Sequence, residues 1–177
     1  MHRDIKSANI FLTKEWGCKL GDMNVSKLAD ANGLNYTQTG TPYYASPEVW
    51  RDEPYDFKSD IWSLGCVVYE MITLKPPFQA EDMQGLFKAV LKGQYNSLPG
   101  EYSKDLNTMI KAMLNVTAAR RPSCEELMNM PEYLARAEHL YPSIAQAIHT
   151  NQFNNSSVYQ NDTMNTSMEV NTTVMST

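Results

Sequence analysis

The stretch that most constrains the fold is SDIWSLGCVVYEMITL, residues 59–74. It holds the longest apolar run in the chain, interrupted by Ser63 and Glu70. The run is too short to span a membrane. Apolar residues surround most of it, so it reads as a helix buried at the centre of a core. Ser59 or Asp60 suits its N-cap, and Pro76-Pro77 stop it. A chain of 177 residues is long enough for one domain built around such a helix.

Other helices are expected around it. Residues 81–92, EDMQGLFKAVLK, are opened by acidic residues and closed by Gly93. Residues 103–114 place Leu106, Met109, Ile110, Met113 and Leu114 on one stripe. Residues 123–130 begin with Ser123 and carry Glu126 three positions on, the pattern of a capping box. An amphipathic piece over 132–148 breaks near Pro142. Ahead of the central helix, Ile10-Phe11-Leu12 and Cys18-Lys19-Leu20 flank TKEWG, whose Gly17 suits a turn, so residues 10–20 read as a short hairpin. Residues 23–47 are rich in turn formers and read as a long loop of the kind that is usually functional. From about residue 150 the chain turns to Asn, Thr, Ser and Met without period, and 150–177 is expected to be disordered.

The net charge of −5 and a pI near 5.2 offer no basic field for a phosphate backbone, so nucleic acid is not the expected partner. Charge begins at His2-Arg3-Asp4, which excludes a signal-peptide pattern, and no membrane association is expected. Cys18, Cys66 and Cys124 stand far apart with no C-x-x-C pair. They read as small, buried or half-buried thiols of a reducing compartment, which points to a cytoplasmic location.

The chemistry is concentrated in HRDIKSAN, residues 2–9. Asp4, Lys6 and Asn9 within six residues form a set suited to phosphoryl transfer. A carboxylate accepts or orients the proton of an attacking hydroxyl, a lysine meets charge on the transferring group, and an amide oxygen suits Mg²⁺. Any one of these residues alone would read as a solvated loop charge.

The ordered string H-R-D-x-K-x-x-N resembles the catalytic loop of eukaryotic protein kinases, and Lys6 resembles the serine/threonine branch. Four further landmarks follow in order: GDMN at 21–24 in the place of D-F-G, GTPYYASPE at 40–48, SDIWSLG at 59–65 and RRP at 120–122. HRDIKSANIFL, GTPYYASPEVW and SDIWSLGCVVYEMITLKPPFQAEDMQGLFKAV are similar to the NIMA-related (Nek) family. The resemblance implies a mainly α fold, that of a kinase C-lobe with a short β-hairpin near the catalytic loop and no N-lobe. It covers residues 1–135, followed by a helical extension at 136–149 and the tail.

The resemblance also implies roles. Asp4 is the expected base or hydroxyl-orienting carboxylate, Lys6 contacts the transferring phosphate, and Asn9 and Asp22 hold Mg²⁺ beside ATP. Thr41 positions substrate. Asp60 binds the catalytic-loop backbone, and Glu48 with Arg121 forms a buried ion pair. Arg3 precedes the base, as in kinases whose loop is ordered by a phosphate, and Thr37 is the favoured phosphosite of NYTQTGT. His2 is expected to serve packing. Met23-Asn24 replaces Phe-Gly. Met can fill an apolar site, and Asn tolerates a left-handed backbone. Protein substrates are implied, with microtubule, centrosome or ciliary association suggested by the family.

The sequence contains no G-x-G-x-x-G loop, no V-A-I-K lysine and no helix glutamate to pair with it. The expectation is an N-terminally truncated fragment of a serine/threonine kinase, inactive by itself, whose central helix exposes apolar surface. The alternative is a genuine short product, a non-catalytic binding or decoy module.

Overall fold

The structure, a computed structural model, describes residues 1–14, 17–22 and 43–150. Thr37, Thr41 and Met23-Asn24 lie outside the described residues, as does nearly all of the expected tail. The chain forms a first compact unit, Met1–Leu127, and a second that begins at Met128.

The first unit is mainly helical and opens with a hairpin. Strands β1 (Ile10–Leu12) and β2 (Cys18–Leu20) pair antiparallel, with Phe11 opposite Lys19. Among the described residues five α-helices follow: α1 (Pro47–Trp50), α2 (Phe57–Thr73), α3 (Met83–Lys92), α4 (Lys104–Met113) and α5 (Cys124–Met128). In the second unit α6 (Pro131–Leu140) and α7 (Pro142–His149) pack on each other, divided at Tyr141 by the proline that the sequence placed there. No described helix is long and apolar enough to cross a membrane.

Helix α2 is the centre, and it starts earlier than the sequence suggests. Its N-cap is Asp56, whose carboxylate accepts from the Lys58 amide at 2.8 Å. Ser59 and Asp60 do not cap because both side chains are committed to other segments. The helix ends at Leu74, which takes a left-handed conformation (φ 58°) two residues before the prolines. Trp62, Cys66 and Val67 are fully buried, and Gly65 lets α4 approach closely. A Cβ on Gly65 would stand 2.9 Å from Met113 Cβ and 3.0 Å from Leu114 Cδ2, inside any real contact.

Caps account for the other boundaries. Asp82 accepts from the Gly85 amide at 2.6 Å, and Gly93 closes α3 with φ 62°. Ser103 accepts from the Leu106 amide at 3.2 Å. Ser123 and Glu126 form the capping box reciprocally, at 2.6 and 3.0 Å. Ile110, Met113 and Leu114 of the expected stripe are buried. Helix α1 lies where the sequence read the end of a loop; Ser46-Pro47-Glu48 carries its start signal, but four residues are too few for a period.

The cysteines differ in part from expectation. Cys66 is buried, but Cys18 and Cys124 are exposed. Cys18 lies in a strand whose three residues are all exposed, and Cys124 opens α5 on its solvent side. The stacking of Trp62 on Phe78, 5.2 Å between centroids at 7°, extends to Tyr95 edge-on at 5.7 Å. As expected, α2 keeps apolar surface open: Met71 is 62% and Leu74 85% exposed, with Leu64, Val68 and Ile72 only half-buried.

Glu48 and Arg121 meet in the core as a bidentate pair, at 2.6 and 2.7 Å. The Ser59 hydroxyl donates to Glu48 Oε1 at 2.5 Å. Arg121 Nε donates to the Asn115 carbonyl at 2.7 Å, its Nη1 also reaches the Lys58 carbonyl at 2.9 Å, and its guanidinium lies 5.0 Å over the Trp62 ring. Burial alone would push the Glu48 carboxyl up; the Arg121 guanidinium and the Ser59 hydroxyl overcome this and hold it at about 2, against an ordinary 4.5.

Replacing Arg121 by Leu leaves a buried carboxylate unpaired and should cost about 3–5 kcal/mol in urea unfolding. Because folding lowers the Glu48 value, its contribution is complete above pH 4.5 and is lost as pH falls towards 2. Glu48→Gln should therefore flatten the acid limb of a stability–pH profile in that window, while an unchanged limb would show that other carboxylates dominate it.

Candidate active site

The loop before β1 is shaped by contacts from both sides. Asp60, in the first turn of α2, accepts from the His2 amide at 2.7 Å and the Arg3 amide at 2.8 Å with its two oxygens. Arg3 sits at φ 72°, a conformation that costs a side-chain-bearing residue about 1–3 kcal/mol. The charged hydrogen bonds from Asp60 offset that strain. His2 is buried; its Nδ1 accepts from the Asp4 amide at 3.3 Å, which leaves Nε2 to donate to the Gly21 carbonyl at 3.0 Å. The Gly21 amide donates to the Asn9 carbonyl at 2.8 Å. His2 and Gly21 thus tie the end of the hairpin, and with it Asp22, to the loop.

After Lys6 the backbone turns through one 3₁₀ turn, Ser7–Asn9, closed by the Asn9 amide on the Lys6 carbonyl at 3.0 Å. The turn folds three functional groups together. Lys6 Nζ lies 2.7 Å from Asp4 Oδ2. Asn9 Nδ2 donates to the Asp4 carbonyl at 2.8 Å and to Asp4 Oδ2 at 3.1 Å. Both amide hydrogens of Asn9 are thereby spent on Asp4, so its carbonyl oxygen is the atom left to meet a cation. That side-chain oxygen, Oδ1, and the Asp22 carboxylate are both hard oxygen donors of the kind Mg²⁺ takes. Asp22 is exposed and held at φ 59°. Among the described residues no group of three or more His, Cys, Asp or Glu forms a metal cluster.

Arg3 turns its side chain towards Tyr55, with the guanidinium carbon 6.0 Å from the ring centroid. Its Nε is buried and finds no hydrogen-bond partner among the described residues. Thr37 and Thr41 lie outside those residues, so the structure brings together Asp4, Lys6, Asn9 and Asp60 and the separate pair Glu48–Arg121.

Several contributors escaped the sequence reading. Ser46 Oγ donates to Ser59 Oγ at 3.0 Å, and Ser63 Oγ donates to the Tyr44 carbonyl at 2.8 Å. The Tyr44 hydroxyl donates to Glu70 Oε2 at 2.6 Å and lies 2.9 Å from Ser7 Oγ. Ser59, Ser63 and Glu70 recur at helical spacing along α2, a polar stripe on an apolar helix. Ser63 and Glu70 were visible only as interruptions of the apolar run.

Asp60→Asn keeps the shape of the side chain but offers one acceptor where two amides need one. It should lower stability by about 1–3 kcal/mol in chemical denaturation. A variant as stable as the parent would show that Asp60 does not hold the loop.

Residues 1–133 match the family model described as protein kinase domain. The serine/threonine-protein kinase Nek3 of Oryza sativa subsp. japonica is 43% identical over 82% of this chain and 24% of its own length. The serine/threonine-protein kinase Nek4 of Mus musculus is 41% identical over 74% of this chain and 17% of its own. The G2-specific protein kinase nim-1 of Neurospora crassa is 42% identical over 74% of this chain and 15% of its own. The chain therefore spans a quarter or less of the length of these curated relatives. A buried ion pair, a loop that gathers Asp4, Lys6 and Asn9, and a match over most of the chain agree: this protein belongs to the protein kinase family, among the NIMA-related serine/threonine kinases.

Proposed function

We propose that this chain carries the acceptor side of a protein phosphorylation site, moving the γ-phosphoryl group of ATP to a serine or threonine hydroxyl of a protein. The observation that carries this reading is the meeting of Lys6 Nζ and Asn9 Nδ2 on one oxygen of Asp4. Asp4 is then the group that takes or orients the proton of the incoming hydroxyl. Lys6, within reach of that carboxylate, is placed to meet the charge of the transferring phosphoryl group. Asn9 Oδ1 and the Asp22 carboxylate would hold Mg²⁺, which when bound neutralises phosphate charge.

The remaining roles rest on the same reading. Thr41 would position the acceptor peptide. Arg3, whose buried Nε has no partner among the described residues, would receive a phosphate on Thr37 and so order the segment that carries it. A cytoplasmic place of work follows from the reading, and association with microtubules, centrosomes or cilia is the partner class that the family suggests.

The sequence holds no glycine-rich phosphate loop and no V-A-I-K lysine. The 177-residue chain should accordingly show no useful affinity for Mg-ATP in calorimetry. Clear binding that disappears in Asp22→Ala would overturn that expectation. Joined to the ATP-binding lobe of a Nek relative, the same residues should phosphorylate a serine/threonine peptide. Asp4→Asn should then lower kcat by about a hundredfold to ten-thousandfold. Activity untouched by Asp4→Asn would remove Asp4 from its role, and a joined protein with no activity at all would sink the reading in favour of a non-catalytic binding module.

A further inference from the structure

Among the described residues, a bridge of side chains outside the roles assigned above joins the loop that carries Asp4 to the segment that leads into α1. Tyr44, half-buried, places its hydroxyl between Ser7 and Glu70, at 2.9 and 2.6 Å. The direction of the two hydrogen bonds follows from the groups. An ionised carboxylate only accepts, so the phenol proton goes to Glu70. The phenol oxygen is then free to accept, and Ser7 must be its donor. Ser63 holds the Tyr44 carbonyl at 2.8 Å, which fixes the backbone from which the phenol reaches.

We propose that Ser7 is a positioning residue: the chain Ser7 to Tyr44 to Glu70 latches the segment at 43–46 to the catalytic loop and to α2 at once. Ser7 lies three residues beyond Asp4 and one beyond Lys6, in the 3₁₀ turn that brings Asn9 to Asp4. A hydroxyl in that turn joined to the segment at 43–46 couples the register of that segment to the register of the reacting groups. Glu70 closes the chain from α2, the same helix whose Asp60 holds the loop from the other end. Ser7 is exposed, so the latch can be broken at that end without disturbing the core.

The electrostatics agree in sign. Burial raises the Tyr44 phenol, Glu70 raises it further, and Ser7 lowers it. The two partners therefore pull the phenol in opposite directions, as a donor and an acceptor on one hydroxyl must.

The meaning of the latch for catalysis rests on the phosphoryl-transfer reading. Its existence is tested in the 177-residue chain without nucleotide, so the two can fail separately. Two readouts serve: hydrogen exchange of the peptide covering 43–50, and the ¹³Cζ resonance of Tyr44 in tyrosine-labelled protein, assigned by its loss in Tyr44→Phe. Ser7→Ala should speed exchange at 43–46 by about three- to tenfold, the factor for one lost hydrogen bond. It should also shift the Tyr44 resonance, while exchange within Phe57–Thr73 stays as in the parent. Glu70→Ala should shift the resonance in the opposite sense, and Ser7→Thr, which keeps the hydroxyl, should restore both parent values. An unchanged resonance and unchanged exchange in Ser7→Ala would overturn the proposal. So would failure of Ser7→Thr to restore them, or an acceleration that extends through α2 and marks loss of the fold.

Discussion

The salt bridge between Glu48 and Arg121 is the constraint on which the first unit depends. It joins residues 73 positions apart, in the core, where neither charge could stand alone. Every other donor of the guanidinium that the structure records is aimed at a backbone carbonyl, at Asn115 or Lys58. The Lys58 ammonium returns the contact by donating to the carbonyl of Arg121 itself. Such a pair adds little net stability, since desolvation offsets most of its attraction. What it supplies is a unique arrangement: α1 has one place where Glu48 finds its partner, and any other packing leaves a naked charge.

The loop that carries Asp4 uses the same device at smaller scale. Two amides in a strained turn face one carboxylate, and a histidine bridges the loop to Gly21. The strain at Arg3 is local, and its compensation comes from α2, 57 residues away in sequence. The geometry of Asp4, Lys6 and Asn9 is therefore set by the fold itself, the kind of preorganisation that the proposed phosphoryl transfer would use.

What the sequence made legible, and what it hid, divides along physical lines. That Asp4, Lys6 and Asn9 meet was readable in HRDIKSAN because they stand within six residues of one short loop. The later helices were readable because their apolar stripes and caps are local. The start of α2 was misplaced because Ser59 and Asp60 look like caps and are engaged elsewhere, Ser59 with Glu48 and Asp60 with the loop. Exposure of Cys18 was missed because a two-stranded hairpin can leave both of its faces in solvent, so strand residues need not alternate between core and surface. The contact of Ser7 with Tyr44 joins residues 37 apart, and a lone serine in a turn carries no pattern that announces a distant partner.

Helix α2 touches every part of this arrangement with a different residue. Asp60 meets the loop, Ser59 and Ser63 meet the segment before α1, Gly65 admits α4, and Glu70 receives Tyr44. A helix advances about 1.5 Å and turns about 100° per residue. From Asp60 to Glu70 it therefore serves as a ruler, converting ten positions of sequence into about 15 Å of fixed distance with fixed bearings. A single residue inserted between them would swing Glu70 about 100° away from Tyr44 while leaving Asp60 on its amides. The tolerance of this helix is thus of a different kind from that of an ordinary core helix. Side chains on its apolar sides can be exchanged for others of similar volume, but its length between these two acids cannot change by even one residue.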